Sequence, residues 1–255
     1  MAVDFDKTAE DYGRHRAGFP EGFFERLLAH GVGRPGQAVL DLGTGTGTVA
    51  RGLAKRGCRV TGLDPSESLL GQARALDEQA GVSVGYVVGE AERSGLPDDE
   101  YDAVTAGQCW HWFDRPAASR EVRRVLKPGG ILAIAHFDWV PLEGNVVRAT
   151  EELVERHNPD WKMGGGTGLY PAWLADVGDA GFAGIETFSF DLDVPYTREG
   201  WRGRMRASAG VAASLSGEAV GRFDSDLARL LAERFPDDPL RVPHRVWAVV
   251  CRSPV

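Results

Sequence analysis

The sequence predicts an α/β protein in which strands and helices alternate. Short apolar runs typical of buried strands, such as Val39–Leu42 and Ala103–Ala106, are separated by stretches with apolar residues at helical spacing. A glycine-rich turn, Gly43–Gly47, joins the first of these runs to a helical pattern that begins at Val49. With 255 residues, of which 43% are hydrophobic, the chain suits one large α/β domain with an elaboration or a small cap.

Composition and net charge indicate which kinds of partner the protein binds. The net charge of −8 argues against a nucleic-acid partner, which normally calls for a basic face, so a small-molecule substrate is expected. The three cysteines, Cys58, Cys109 and Cys251, are odd in number and widely spaced, so neither a disulfide framework nor a zinc cluster is expected. The N-terminus lacks a signal-peptide pattern, and no apolar run reaches membrane-spanning length. We therefore expect a cytoplasmic protein without a membrane partner, whose oligomeric state the sequence leaves open.

The turn after the first apolar run reads Asp41-Leu42-Gly43-Thr44-Gly45-Thr46-Gly47. A dinucleotide-binding turn would place its third glycine at the position of Thr48, whereas here it comes one residue early. Asp41 would repel a pyrophosphate, but it would not repel a cationic ligand. Both features argue against a nicotinamide-dependent oxidoreductase, which stays the less favoured alternative.

This turn resembles the first motif of the class I S-adenosylmethionine-dependent methyltransferases. The resemblance covers Val39–Ala135. It implies a Rossmann-like, doubly wound sheet of seven strands, mostly parallel with one antiparallel strand, and helical substrate-cap insertions. The expected organisation is a single domain, 1–255, with a cofactor-binding core at about 31–136, an N-terminal lid at 1–30 and cap elements at about 139–175 and 197–240. An ordinary strand-to-helix turn is the alternative.

The resemblance assigns the turn to the amino-acid end of the cofactor. Gly43, Thr44, Gly45 and Gly47 would hold the methionine carboxylate beside the start of the following helix, where unpaired N–H groups favour an anion. Asp41 would face the ammonium group, directly or through water. S-adenosyl-L-methionine is thus the expected cofactor and S-adenosyl-L-homocysteine the expected product.

A second acidic residue ends the next predicted strand, Arg59–Leu63. Asp64 lies about twenty residues beyond the glycine turn, where nucleoside-binding βαβ units present an acid to the ribose hydroxyls. Pro65 is assigned to the same cofactor site, and Ser66 is expected to cap the helix that follows. The alternative is that Asp64 merely caps this helix.

Two further segments join the expected cofactor site by resemblance. Glu90 and Ala91 follow the predicted strand Tyr86–Gly89 and would lie beside the adenine, although the family more often carries aspartate at the first position. Tyr12 and Arg16 match an N-terminal segment that folds over the cofactor in many small-molecule methyltransferases. A solvated loop and a solvated arm are the respective alternatives.

The stretch from Gln108 to Phe113 follows the fourth predicted strand, at the sheet edge where ligands bind. It resembles the Gln-x-x-His-Trp-Phe pattern of methyltransferases that act on small acids, a group that includes trans-aconitate methyltransferases. Gln108 is assigned to the cofactor, and Trp110, His111 and Trp112 to the substrate. His111 is the candidate general base for a hydroxyl or amine nucleophile, whereas a carboxylate would need none. Structural roles are the alternatives, above all core packing for the tryptophans.

Beyond His136 the motifs are weaker. Trp139 is expected to belong to a substrate cover, and Arg202 is a candidate partner of an anionic substrate. Arg202 and Arg206 share a helical face at four-residue spacing, and solvation of both is the alternative.

The expected reaction is in-line displacement of the sulfonium methyl group by an oxygen, nitrogen or carbon nucleophile. A metal-assisted variant would need four scattered residues, His111, Asp114, His136 and Asp138, to converge, so no metal is expected. The remaining alternative is a cofactor-binding protein that transfers no methyl group and serves cyclisation, partner binding or regulation.

Overall fold

A computed structural model describes residues 17–208, 210–211 and 214–255. The predictions for Tyr12 and Arg16 lie outside these residues. Seven strands run through the described chain: β1 Ala38–Leu42, β2 Arg59–Asp64, β3 Gly85–Val88, β4 Tyr101–Gly107, β5 Leu126–Trp139, β6 Ala183–Tyr196 and β7 Leu240–Arg252.

Eight α-helices are described with them. The first four flank the early strands, and the last four follow β5. Their bounds are α1 Glu21–Ala29, α2 Thr48–Ala54, α3 Glu67–Ala80, α4 Arg115–Val125, α5 Val146–His157, α6 Ala172–Asp179, α7 Arg198–Arg206 and α8 Gly217–Arg234.

The strands form one seven-stranded sheet in the order β3-β2-β1-β4-β5-β7-β6. Strand β1 pairs in parallel with β2 and β4, β2 with β3, and β4 with β5. The predicted seven-stranded, mostly parallel, Rossmann-like sheet is therefore confirmed. The chain proceeds outward from β1 to β3 and then continues with β4 on the other side of β1. This reversal creates a crevice at the carboxyl ends of β1 and β4, where open α/β sheets bind ligands.

Local sequence signals set several element boundaries. The Ser66 hydroxyl accepts a hydrogen bond from Leu69 N at 3.3 Å, which confirms the predicted N-cap of α3. Helix α1 begins directly after Pro20 and buries Phe23, Phe24 and Leu27.

Strand β5 begins at Leu126, so it includes the sequence Lys-Pro-Gly-Gly at Lys127–Gly130. Leu126 pairs with Tyr101, and Ile131 then pairs with Ala103 after a register shift. Lys127–Gly130 therefore form an irregularity within the strand.

The chain divides into two compact units. We call residues 18–137, 170–190 and 246–255 the core unit, and the described residues among 17, 138–169 and 191–245 the cap unit. The predicted cap elements at about 139–175 and 197–240 overlap the second set in sequence. The single-domain organisation with a lid at 1–30 stays a prediction.

Each unit has its own hydrophobic cluster. In the core unit, Leu40, Val104 and Leu132 of the central strands pack with Val122 and other residues of α4. Burying a side chain of this kind contributes about 1.5–3 kcal/mol relative to leaving it exposed. In the cap unit, residues of α5, α7 and α8 form a separate cluster around Trp201 and Phe223.

A half-buried carboxylate, that of Glu121, links the loop before β4 to helix α4. Glu121 accepts hydrogen bonds from Ser94 N at 2.8 Å, from the Ser94 hydroxyl at 2.5 Å and from Arg124 at 2.6 Å. Arg124 also donates to Leu96 O at 2.8 Å. The bonds from Arg124 and Ser94 hold the pKa of Glu121 down at about 2.

We expect the substitution Glu121→Gln to lower the free energy of unfolding at pH 7 by about 1–3 kcal/mol, because charge-assisted bonds are lost. Since the folded-state pKa is depressed from 4.5 to about 2, the contribution of Glu121 is complete above pH 4.5 and declines as the pH falls towards 2. Urea unfolding at pH 7 and pH 3 should show a smaller deficit at pH 3. The exposed Glu78→Gln serves as the matched control and should change neither value. An equal deficit at both pH values would contradict this account.

Candidate active site

The glycine turn between β1 and α2 depends on left-handed backbone. Gly43, Gly45 and Gly47 have φ angles of 55°, 54° and 76°. A Cβ at Gly43 would lie 2.7 Å from the Cβ of Cys109, so this glycine permits close contact with the loop after β4. A Cβ at Gly45 would meet no described atom within 4 Å. The backbone at Gly45 therefore borders open space, where a ligand can approach it.

Asp64, at the end of β2, holds this turn in place. One carboxylate oxygen accepts a hydrogen bond from Gly45 N and the other from Ser66 N, both at 2.9 Å. Burial raises the pKa of Asp64, and the two backbone bonds oppose that shift. The contact with Gly45 was not foreseen in the sequence, whereas the bond to Ser66 is the local turn that an aspartate two residues before a helix cap permits. Asp64 thus positions the turn, in addition to its predicted role towards a ribose.

Asp41 lies beneath the turn and is only 1% exposed. Its two oxygens accept hydrogen bonds from the hydroxyls of Thr44 and Thr105, each at 2.6 Å. Burial raises the pKa of Asp41 to about 6, although the two hydroxyls act in the opposite direction. Because Asp41 is buried and both of its oxygens accept hydrogen bonds, the structure argues against direct contact between Asp41 and an ammonium group. Contact through water is the other predicted possibility. Asp41 supports the turn through Thr44.

Gln108 links the loop after β4 to β5. Its backbone N–H donates to Ala135 O at 2.8 Å, and its side-chain amide donates to Phe137 O at 2.6 Å. Gln108 has a φ of 63°, a conformation that costs a residue other than glycine about 1–2 kcal/mol. Such strain clusters at functional sites and persists where surrounding contacts enforce it, as these two bonds do.

His111 is exposed and lies beside a buried histidine of β5. The Nδ1 of His111 is 3.2 Å from the Nε2 of His136. The His136 ring packs against Tyr170 and Trp173, with centroid distances of 4.4 and 5.1 Å. A hydrogen bond between two ring nitrogens requires that one of them carry a proton. The buried ring therefore orients the exposed one.

The two predicted substrate-binding tryptophans in this loop differ in environment. Trp110 is 0% exposed, donates its indole N–H to Asp176 at 3.4 Å and belongs to the core cluster. Its prediction as a substrate-binding residue is corrected, because core packing encloses the ring. Trp112 is 48% exposed, and its ring lies 4.5 Å from that of His111. Trp112 thus stays a candidate for substrate contact.

The predicted cofactor residues after β2 and β3 lie at ends of paired strands. Pro65 and Glu90 are exposed, and Ala91 is buried. Glu90 forms an isolated bridge with Arg93, whose N–H donates to Glu90 O at 3.2 Å. Their assignment to the cofactor stays a prediction.

Two predicted substrate residues belong to the cap unit. Trp139 is half-buried and donates its indole N–H to Glu151 at 2.8 Å. Arg202 bonds to Asp224 at 3.1 Å and to Glu199 at 2.7 Å. The pairing of Arg202 with an anionic substrate stays a prediction, although its charge already has two carboxylate partners. Asp224 is far from Arg202 in sequence, so helical spacing could not reveal the pair.

Neither a metal cluster nor a membrane span is found in the described chain. Within residues 17–208, 210–211 and 214–255, no group of three or more histidine, cysteine, aspartate or glutamate side chains is placed to hold a metal ion. No helix among these same residues combines the length and the apolar character needed to cross a membrane.

The strand order of the sheet, the glycine turn and the two acids at the strand ends, Asp41 and Asp64, are typical of an α/β protein that binds a nucleoside cofactor. Residues 40–134 match the family described as the methyltransferase domain. An uncharacterized methyltransferase from Mycobacterium tuberculosis is 33% identical over 180 residues, which cover 63% of this chain and 71% of that protein. The chain belongs to the class I S-adenosylmethionine-dependent methyltransferases.

Solved structures share the fold. Phosphoethanolamine N-methyltransferase 2 from Haemonchus contortus, in complex with phosphomonomethylethanolamine and S-adenosylhomocysteine, gives a TM-score of 0.58 at 21% identity, covering 100% of this chain and 61% of that chain. The [4+2]-cyclase SpnF gives a TM-score of 0.57 at 22% identity, and the match covers 94% of this chain and 84% of that chain. At these identities the likeness concerns the fold. The resemblance to the trans-aconitate branch stays a prediction.

The residues present fit S-adenosylmethionine, the cofactor of the family. Gly45 leaves room beside the turn, and Asp64 provides a carboxylate at the adjoining strand end. A carboxylate can accept hydrogen bonds from both hydroxyls of a ribose. When bound, the cofactor supplies an electrophilic methyl group and a neutral thioether leaving group.

The raised pKa of Asp41 gives a pH-dependent stability of unusual sign. Because the folded state binds the proton more tightly than the unfolded state, wild-type stability decreases by about 3 kcal/mol as the pH rises from about 4 to 6 and stays lower above that. We expect the substitution Asp41→Asn to remove this loss. Urea unfolding from pH 4 to pH 8 should then give a variant-minus-wild-type difference that rises up to pH 6 and is level afterwards.

Asp102→Asn is the matched control for this series. Burial acts to raise the pKa of Asp102, but the bonds from Lys127 and Ala38 N outweigh it and leave the pKa lowered. The contribution of the Asp102 carboxylate to the free energy of unfolding is therefore complete above pH 3.8, its ordinary pKa. The variant-minus-wild-type difference for Asp102→Asn should then be nearly level between pH 4 and 6. A level curve for Asp41→Asn as well would contradict the assignment.

Proposed function

We propose that this enzyme methylates a small-molecule acceptor at an oxygen, nitrogen or carbon atom, and that His111 takes the proton when the nucleophile carries one. The observation that carries this proposal is the exposed His111 imidazole, bonded to buried His136 at the carboxyl ends of β4 and β5. Such an edge is where open α/β sheets bind their ligands.

The histidine pair suits proton acceptance. When Nδ1 of His111 donates to Nε2 of His136, the neutral tautomer of His111 has Nε2 as its acceptor nitrogen. An imidazole with an ordinary pKa near 6.5 can accept a proton around neutral pH, and a positioned base typically accelerates a reaction about 10²- to 10⁴-fold. A carboxylate or an already ionised nucleophile would gain nothing from it.

The other contribution of the protein to catalysis is to position the reactants. Because the cofactor brings its own leaving group, the protein has to hold the nucleophile in line with the methyl group and exclude competing water. Exposed Trp112 beside His111 offers an aromatic surface that attracts a cation such as a sulfonium. The acidic net charge of −8 supports a small molecule over a nucleic acid. The Haemonchus contortus structure contains phosphomonomethylethanolamine, a molecule of this size class.

The substitution His111→Gln tests the base. With an acceptor whose nucleophile is a hydroxyl or amine, we expect kcat to fall about 10²- to 10⁴-fold and its dependence on the ionisation of a base to disappear. The Kd for S-adenosylmethionine, measured by calorimetry, should change less than about twofold. His30→Gln, at the C-cap of α1, is the control and should leave both values unchanged. Full turnover by His111→Gln with such an acceptor would remove the base assignment.

Cofactor binding is tested separately at Asp64. Calorimetry should show that wild type binds S-adenosylmethionine and S-adenosylhomocysteine but not NADH, and that Asp64→Asn raises both dissociation constants at least about tenfold, because the ribose contact and the bond to Gly45 are weakened. Asp179→Asn, an exposed position in α6, should bind like wild type. Unchanged affinity in Asp64→Asn would contradict its role. Tight binding without a methylated product from any acceptor would favour a cofactor-binding protein of another function.

A further inference from the structure

A buried ion pair joins helix α2 to helix α3 beside the glycine turn. Arg51 Nε donates to Asp77 Oδ1 at 2.7 Å, and the two side chains are 15% and 6% exposed. Burying two charges costs about as much as their attraction returns, so such a pair is weak evidence for a role in stability alone. The other contacts of the pair therefore indicate what else it does.

The arginine of this pair also bonds to the backbone of the glycine turn. The Nη2 nitrogen of Arg51 donates to Thr46 O at 2.7 Å and to Ala73 O at 3.3 Å. On the other side of the same peptide bond, Gly47 N–H donates to Thr44 O at 2.9 Å. The peptide unit between Thr46 and Gly47 is thus held at both its oxygen and its nitrogen.

Tyr86 of β3 is the second side chain that donates to Asp77. Its hydroxyl bonds to Asp77 Oδ2 at 2.7 Å, so each oxygen of the buried carboxylate has a donor. Burial and the bond to Asp77 raise the pKa of Tyr86, so the hydroxyl keeps its proton. The same hydroxyl lies against Gly47, where any side chain would collide with it. Tyr86 therefore contacts the turn directly, as well as through Asp77 and Arg51.

Two glycines allow the Tyr86 ring to reach the turn. A Cβ at Gly62 of β2 would lie 2.7 Å from the ring carbon Cε1 of Tyr86, and Gly47 gives way to the hydroxyl. A Cβ at Gly45, by contrast, would meet no described atom within 4 Å. The turn is therefore packed against Tyr86 and Arg51 at Gly47, and it borders open space at Gly45.

We propose that Arg51, Asp77 and Tyr86 are positioning residues, which hold the glycine turn in the conformation that receives the amino-acid end of S-adenosylmethionine. This inference rests on the cofactor binding that the proposed function requires and on the predicted placement of that end beside the turn. Backbone groups bind a ligand well only when they are fixed in the right direction beforehand. Because Gly45 N keeps its bond to Asp64 without this network, its loss should weaken the hold on the amino-acid tail more than that on the nucleoside.

The experiment compares two ligands that differ in the amino-acid tail. S-adenosylhomocysteine carries the tail, whereas 5′-methylthioadenosine has the same adenosine and thioether with a methyl group in its place. The Kd of each is measured with the full chain by calorimetry, or by displacement where binding is weak. We expect wild type to bind S-adenosylhomocysteine at least about tenfold more tightly than 5′-methylthioadenosine. Arg51→Gln should raise the first Kd at least about tenfold and the second less than about threefold.

Conservative variants show which contacts matter. Tyr86→Phe keeps the ring and removes one donor, so it should raise the Kd for S-adenosylhomocysteine about three- to tenfold. Arg51→Lys keeps the charge but loses the planar fork that reaches both Asp77 and Thr46 O, so its effect should resemble that of Arg51→Gln. Lys55→Gln removes a charge at the C-cap of the same helix and is the matched control, which should bind both ligands like wild type.

Three results would overturn the proposal: equal weakening of both ligands, which a general loss of folded structure produces; unchanged binding of S-adenosylhomocysteine by Arg51→Gln and Tyr86→Phe; and equal binding of the two ligands by wild type. Should Arg51→Gln fail to fold, Tyr86→Phe and Arg51→Lys decide in its place. Methyl transfer is measured separately with wild type. Its absence for every acceptor would contradict the proposed function, whereas selective loss of S-adenosylhomocysteine binding in the variants would still support the role of the network.

Discussion

The hydrogen bond from Gly45 N to the Asp64 carboxylate is the contact on which the candidate site depends. It joins the turn after β1 to the end of β2, and the second oxygen of Asp64 fixes the start of α3 through Ser66 N. A buried carboxylate needs such donors, since an unpaired charge is costly to bury. The turn can supply one because its three glycines adopt left-handed backbone that other residues rarely adopt. The glycine backbone of the turn therefore places an N–H donor where the buried carboxylate needs one.

Two buried acids at neighbouring strand ends also determine the electrostatics of the crevice. The charge of Asp64 adds to the burial that raises the pKa of Asp41, so each carboxylate opposes ionisation of the other. The resulting negative field disfavours a pyrophosphate and favours a cation, such as a sulfonium with its ammonium tail. Thr44 and Thr105 offset the cost of burying this charge, because their hydroxyls donate hydrogen bonds to the two oxygens of Asp41.

Much of the fold was predictable from the sequence because its signals are local. The glycine turn, the Ser66 cap and the apolar strands each depend on a few consecutive residues, and together they lead to the observed sheet. Predictions that depended on distant partners were less successful. Trp110 follows a strand end like Trp112, yet Asp176 and the core cluster enclose it. The bulge at Lys127–Gly130 likewise depends on pairing with β4, which no local pattern records.

The arginines of α7 show that spacing along a helix does not identify the partner of a charged side chain. Residues four apart lie on one helical face, and Arg202 and Arg206 were singled out because they are such a pair. A pair of cations on one face is also well suited to hold acids of the same protein, and Asp224 and Glu199 occupy that role. The sequence spacing thus identifies two cations on one helical face but not the acids that they bind, since Asp224 lies on a different helix, α8.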